Sequence, residues 1–449
     1  MASEWPTRKL ADLCESVDYG YTASAKDSPC GPRFLRITDI VSGGINWDTV
    51  PFCEIDEPAR SRCLLHHGDV VVARTGATTG YSAYIASPPD AVFASYLVRL
   101  RIAPEASPRF VSYFLKSPRF WSYMRGVMGD KSAQPNASAK TITEVTLPVP
   151  PLREQQAIAC ILGALDDKIE LNRRMNRTLE AMARAIFKSW FVDFDPVRAK
   201  AAVQREHPNW TDEKVCRAAC PDLKPDIAAL FPDAFTDSRL GLVPAGWREA
   251  TLGDVTERPQ YGYTASASDE PVGPRFLRIT DINKQEWIEW HNVPFCLVEE
   301  REQGKYRLKK GDVVIARIAD PGHGAMIEEE VEAVFASYLI RFRPRRPELG
   351  RFLQYWLRSE DYWNLVRSRQ SGTTRANLNA QVLSSFTLVV PQTQLLEAFS
   401  RLIDAFRTRL VASVRASRTL AAIRDALLPK LLSGELRVRD AENYARGRR

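Results

Sequence analysis

The sequence predicts an α+β protein of two mixed α/β domains and two long helices, the helices packed as an antiparallel coiled coil and the halves related by a pseudo-twofold axis. Three observations carry this. First, the chain repeats itself: YGYTASA stands at Tyr19–Ala25 and at Tyr261–Ala267, GPRFLRITDI at Gly31–Ile40 and Gly273–Ile282. GDVVVAR from Gly68 is matched by GDVVIAR from Gly311, and AVFASYL recurs from Ala91 and Ala333. A period of about 240 residues far exceeds a solenoid unit of about 20–50, so each copy is a domain with its own core. Second, each copy holds short β-branched and aromatic runs cut by Gly and Pro. Third, each ends in a long heptad-like stretch.

The elements follow in order. RFLRIT, DVVVAR and AVFASYLVRLR have the length and composition of strands. Phe110, Phe114 and Trp121 keep helical spacing, as do Phe352, Trp356 and Trp363. TLPVPP from Thr146 and TLVVPQ from Thr387 read as last short strands stopped by proline. Behind them a seam steps through Ile158, Ile161, Leu165, Lys168, Asn172, Met175, Leu179, Met182 and Ile186. Its counterpart is Phe399, Leu402, Phe406, Arg409, Ser413, Ala416, Leu420, Ile423 and Leu427. A parallel pair would set Lys168 against Arg409, whereas an antiparallel pair separates these like charges. The divisions expected are a first domain over 1–150, a helix over 151–193, a connecting strap over 194–245, a second domain over 246–390, a second helix over 391–438 and a frayed basic tail over 439–449.

Composition narrows the class. Hydrophobic residues make up 45% of the chain, enough for filled cores, and the formal charge of +7 suits a polyanionic partner without requiring one. No run reaches the roughly 20 apolar residues that span a bilayer, and no signal-like stretch opens the chain, so a cytoplasmic protein without membrane contact is expected. The eight cysteines are scattered, and only Cys53 and Cys296 correspond between copies, which argues against a disulfide framework or a zinc site.

No phosphate-binding loop, dinucleotide fingerprint, zinc-protease motif or nucleophile elbow occurs, and the histidines sit where the repeat is not preserved. No cofactor is expected on this chain. What the copies share is polar and aromatic groups near turns. Tyr19, Tyr21 and Thr22, with Tyr261, Tyr263 and Thr264, offer hydroxyls to phosphates or base edges, or else form a packed turn. Arg33, Arg36, Thr38 and Asp39 recur as Arg275, Arg278, Thr280 and Asp281. On a strand Arg36 and Thr38 would share a face, an Arg grips guanine O6 and N7, and Asp accepts from cytosine or holds the Arg. A structural ion pair is the competing reading.

Arg74 and Arg317 lead into loops that diverge, TGATTGYSAY with Thr75 and Thr78 against IADPGHGAMI with His323. Lys131, Gln134 and Asn136 face Thr373, Arg375 and Asn377 in a second divergent loop. Gln and Asn address adenine and Arg guanine, so such loops on a retained frame are expected to set sequence preference.

Four segments carry a family resemblance: LPVPPLREQQAI from Leu147, AIFKSWFVDFDPVRAK from Ala185, GLVPAGWREATLGDV from Gly241 and LLPKLLSGELRV from Leu427. The chain resembles, over nearly its whole length, the DNA specificity subunit of type I restriction-modification systems. The resemblance implies two target-recognition domains alternating with conserved helices that pack antiparallel as a spacer. It implies a bipartite double-stranded DNA target, two modification subunits that bind S-adenosylmethionine and methylate adenine N6, and ATP- and Mg-dependent restriction subunits. The second helix departs from the pattern, with PQTQLLEAF where the first has PPLREQQAI. A helix of about 39 residues spans roughly 58 Å, or about 17 base-pair steps, which sets the expected reader spacing. The competing classes are a self-contained methyltransferase or nuclease and a scaffold that touches no DNA.

Overall fold

The computed structural model describes residues 5–40, 44–128, 136–283, 287–370 and 378–438. Two compact units emerge: residues 1–174 with 413–449, and residues 175–412. Each holds one copy of the repeat, and the two long helices contribute residues to both.

In the first unit a four-stranded antiparallel sheet runs in the order Cys14–Tyr19, Leu97–Ile102, Val70–Ala73, Ser82–Tyr84. Beside it Arg33–Leu35 pairs in parallel with Ala91–Phe93, and Thr7–Lys9 pairs antiparallel with Thr146–Pro148. The strand Val70–Ala73 is fully buried because alternate side chains feed two cores. Val70 and Val72 pack with Phe110, Phe114 and Leu147, while Val71 and Ala73 pack with Phe34, Val92 and Phe93.

The second unit repeats the plan. Its sheet runs Gln260–Tyr261, Leu339–Phe342, Val313–Ala316, Gly324–Met326, with the pairs Arg275–Leu277 to Ala333–Phe335 and Arg248–Thr251 to Thr387–Val390. Val313 and Ile315 join Phe352 and Leu388 in one core, and Val314 and Ala316 join Leu277 and Phe335 in the other.

The shared glycines have a steric cause. A Cβ on Gly20 would lie 2.3 Å from the carbonyl oxygens of Phe93 and Ala94, and one on Gly262 would lie 2.2 Å from that of Ala336. A Cβ on Gly31 or Gly273 would likewise lie 2.3 Å from the carbonyl oxygen of Cys53 or Cys296, which accounts for both glycines.

The long helices are Leu152–Phe191 and Thr393–Ser433. Within the first unit they run antiparallel: Glu154 meets Arg437 just beyond the second helix, Asp166 meets Arg424, and Asn172 Nδ2 donates to Ser417 Oγ at 3.0 Å. Within the second unit Arg407 donates to Glu180 at 2.9 Å. The expected antiparallel pairing holds, but half of the seam lies one residue away from the expected positions. Leu162, Ile169, Asn176 and Ala183 are buried where Ile161, Lys168, Met175 and Met182 were expected, and Met182 is 45% exposed. Likewise Leu410 is buried and Arg409 exposed, so the charge conflict invoked for a parallel pair involves residues that face solvent. The cause is that each helix also covers its own domain: Asp166 accepts from Tyr113, and Asp167 pairs with Arg109. Serving two neighbours widens the buried stripe beyond a strict 3.5-residue seam.

Residues 194–245 form helices Asp195–Glu206, Asp212–Ala219 and Pro225–Ala228 and a hairpin of Phe235–Ser238 with Gly241–Pro244. The Lys200 ammonium, almost wholly buried, ties them by donating to the Phe231 carbonyl at 2.7 Å and pairing with Asp212. Cys216 and Cys220 are buried there as free thiols.

Candidate nucleic-acid interface

Each unit gathers one polar and aromatic cluster at a common set of loop ends. In the first, Tyr21 N donates to Phe93 O and Ser95 N to Tyr21 O, which fixes the YGY turn against the end of Ala91–Phe93. Arg74 N donates to Tyr96 O, and Ala137 N to Arg74 O. The Arg74 guanidinium lies 4.9 Å from the Tyr19 ring centroid and donates to Asn136 Oδ1 at 3.3 Å. Tyr19 Oη accepts from the Ala139 amide at 3.0 Å, at the start of the short helix Ala139–Thr143.

The second unit repeats these contacts. Tyr263 N donates to Phe335 O, Arg317 N to Tyr338 O and Leu378 N to Arg317 O. Arg317 sits 5.2 Å from the Tyr261 ring, and Tyr261 Oη accepts from Ala380 N at 3.0 Å. In both copies the arginine Nε is buried without a hydrogen-bond partner among the described residues.

The sequence-derived candidates divide into groups. Tyr19, Tyr21, Arg74, Thr75 and Asn136 come together in one cluster, and Tyr261, Tyr263 and Arg317 in the other, while Thr22 and Thr264 are exposed beside them. Thr78 is half-buried with its hydroxyl unpartnered among the described residues. His323 lies in the loop after Arg317 against Trp363. Lys131, Gln134, Thr373, Arg375 and Asn377 lie outside the described residues.

The strand expected for Arg36 and Thr38 is absent, because Ile37–Ile40 is a 3-10 turn. Asp39 accepts from the Arg36 amide at 2.8 Å and from its guanidinium at 3.1 Å twice, capturing the backbone before a strand can continue. Arg278 and Asp281 repeat the arrangement. The Asp39 bond holds the Arg36 guanidinium above its usual pKa, although the head group stays 39% exposed. Thr38 and Thr280 are exposed on the same turns.

Arg33 and Arg275 are framework groups. Arg33 donates to the Val50 carbonyl at 2.5 Å and lies 4.1 Å from the Phe52 ring; Arg275 does the same with Val293 and, at 4.0 Å, Phe295.

One pair and one further tyrosine escaped the sequence reading. Tyr96 and Tyr338 are 57% and 48% exposed, at the turn that hands its carbonyl to Arg74 or Arg317. Tyr81, 39% exposed, stands on Trp121. A tyrosine ending the otherwise buried AVFAS run was a visible signal, since a large aromatic left exposed in both copies wants a partner.

A sequence profile described as the type I restriction modification DNA specificity domain matches residues 2–181 and again 244–414. The chain belongs to that family. Among relatives of the specificity-subunit class, the type I restriction enzyme HindI specificity subunit of Haemophilus influenzae is 24% identical over 97% of this chain and 100% of its own length. The MjaIX specificity subunit of Methanocaldococcus jannaschii is 24% identical over 83% of this chain and 76% of its own. The crystal structure of a type I restriction-modification S subunit from M. genitalium shares the fold with a TM-score of 0.54 at 16% identity, over 96% of each chain. Family members are recognition components rather than catalysts, and this specificity subunit is one of them. Among the described residues no helix is long and apolar enough to cross a membrane.

Proposed function

We propose that this specificity subunit reads a bipartite double-stranded DNA target, one half-site per recognition domain, and lends that address to partner subunits. The supporting observation is the duplicated cluster of tyrosines, an arginine and exposed threonines, built twice on one frame in a chain that carries the DNA specificity domain twice. Tyr19, Tyr21, Thr22, Arg36, Thr38, Arg74, Thr75 and Asn136 would touch one half-site, and Tyr261, Tyr263, Thr264, Arg278, Thr280, Arg317 and His323 the other. Phosphate contacts would set register and the divergent loops would set bases. On this reading residues 1–150 and 246–390 are the recognition domains, and the protein works in the cytoplasm. Two modification subunits bring S-adenosylmethionine and methylate adenine N6, while restriction subunits bring ATP and Mg.

Mapping methylated adenines in DNA modified by the complete complex tests this, with a two-part motif expected. Methyl transfer by the purified chain alone would instead mean a self-contained enzyme. Binding indifferent to salt would mean a scaffold, because a DNA reader loses affinity along a log-log slope of about 0.9 per phosphate contact.

A further inference from the structure

The two clusters share their framework residues, so what separates the half-sites falls to the divergent loops. Between Arg74 and Gly80 the first loop has the residues TGATT, whereas between Arg317 and Gly322 the second has IADP, one residue fewer. Beyond this difference the backbones rejoin. Gly80 at φ +94° and Gly322 at φ +99° both take the left-handed region. Gly80 N donates to Ala73 O at 2.8 Å, and Gly322 N to Ala316 O at 2.9 Å. The next residue closes the hairpin: Ala73 N donates to Tyr81 O at 2.8 Å, and Ala316 N to His323 O at 2.7 Å.

Tyr81 and His323 are therefore one structural position with two chemistries. Each stands edge-on against an equivalent tryptophan, Tyr81 at 5.3 Å from Trp121 and His323 at 4.9 Å from Trp363. The glycine beforehand leaves no slack, since a Cβ on Gly80 would lie 3.3 Å from the Trp121 ring, and one on Gly322 3.4 Å from that of Trp363. Both rings are thus presented from a stiff support, the condition for reading a base edge without a large ordering cost.

The polar ends differ. His323 Nδ1 lies 3.3 Å from the Asp320 carbonyl oxygen, which can only accept, and the tautomer that donates there leaves Nε2 as an acceptor. Tyr81 instead offers a hydroxyl that both donates and accepts.

Resting on the DNA-reading assignment above, we propose that position 81/323 is one residue of the divergent loops that makes the two half-sites differ. His323 accepts from an exocyclic amino group in the major groove, adenine N6 or cytosine N4, and Tyr81 reads the equivalent place in the other half-site.

The test is selection from a randomised DNA library with the full chain in its complex with the modification subunits. The parent is compared with His323→Tyr, Tyr81→His and His323→Phe. His323→Tyr is expected to erase, by about tenfold, a preference for adenine or cytosine at one position of one half-site and to install the other half-site's preference there. Tyr81→His should do the converse. His323→Phe keeps the ring on Trp363, so it should lose the preference with an unchanged thermal midpoint. Unchanged preferences in all three variants, or a uniform loss of affinity over every sequence, overturn the inference alone. A shift at a position where the parent prefers guanine or thymine overturns the assigned tautomer and with it the role of His323. A parent without any base preference overturns the DNA reading itself.

Discussion

At the scale of single residues, a conserved-looking letter in the repeat meant one of two things, and only the fold separates them. Gly20 and Gly262 admit no side chain because carbonyl oxygens occupy the space. Gly20→Ala should cost about 1–3 kcal/mol, read as a lower midpoint in chemical denaturation. Tyr96, by contrast, is 57% exposed, so Tyr96→Ala should leave the midpoint in place and weaken DNA binding about fivefold in a titration. Tyr19, Tyr21 and Arg74, with Tyr261, Tyr263 and Arg317, could be named from the repeated sequence, whereas Tyr81, Tyr96 and Tyr338 were not. The direction of Arg33 was not legible, because the carbonyls of Asp48 and Val50 that receive it belong to a remote loop. Nor was the turn at Arg36 visible to strand propensity, since a local carboxylate outcompeted the ladder.

Among the elements, the paired helices carry a consistent polarity. The first supplies Asp166 and Glu180, and the second supplies Arg424 and Arg407. In the second unit Arg407 also binds Glu328, which Arg351 shares at 2.7 Å. Burial works against ionising Glu328, yet the bonds and charges of Arg407 and Arg351 prevail and hold its pKa at about 2, below the usual 4.5. Because the folded value is the lower one, this stabilisation is present above about pH 4.5 and is lost as pH falls toward 2. Denaturation curves between pH 5 and pH 2.5 should show that loss in the parent and a flatter response in Glu328→Gln. Arg407→Met, which strips a cation from two buried carboxylates, should cost on the order of 3 kcal/mol in the same assay. The existence of these helices was legible from periodicity, whereas their antiparallel sense was argued from Lys168 and Arg409, which face solvent and do not decide it. Nor were the exact facing residues legible, because Ile161 and Leu162 are both apolar, and only packing against the domain helix decides which one is buried.

For the whole molecule, two near-copies of one reading face imply two related half-sites. Methylation mapping should return half-sites that share bases and part at few positions; two unrelated half-sites would contradict the duplicated frame. The DNA affinity of the complex should fall steeply between low and physiological salt, as the +7 charge and the exposed arginines suggest. The duplication also makes the chain its own control. Any framework residue altered in one copy leaves an untouched sibling in the same polypeptide, at the same concentration and in the same buffer. A lesion confined to one arm can thus be read as a ratio of two internal signals, free of errors in protein dose.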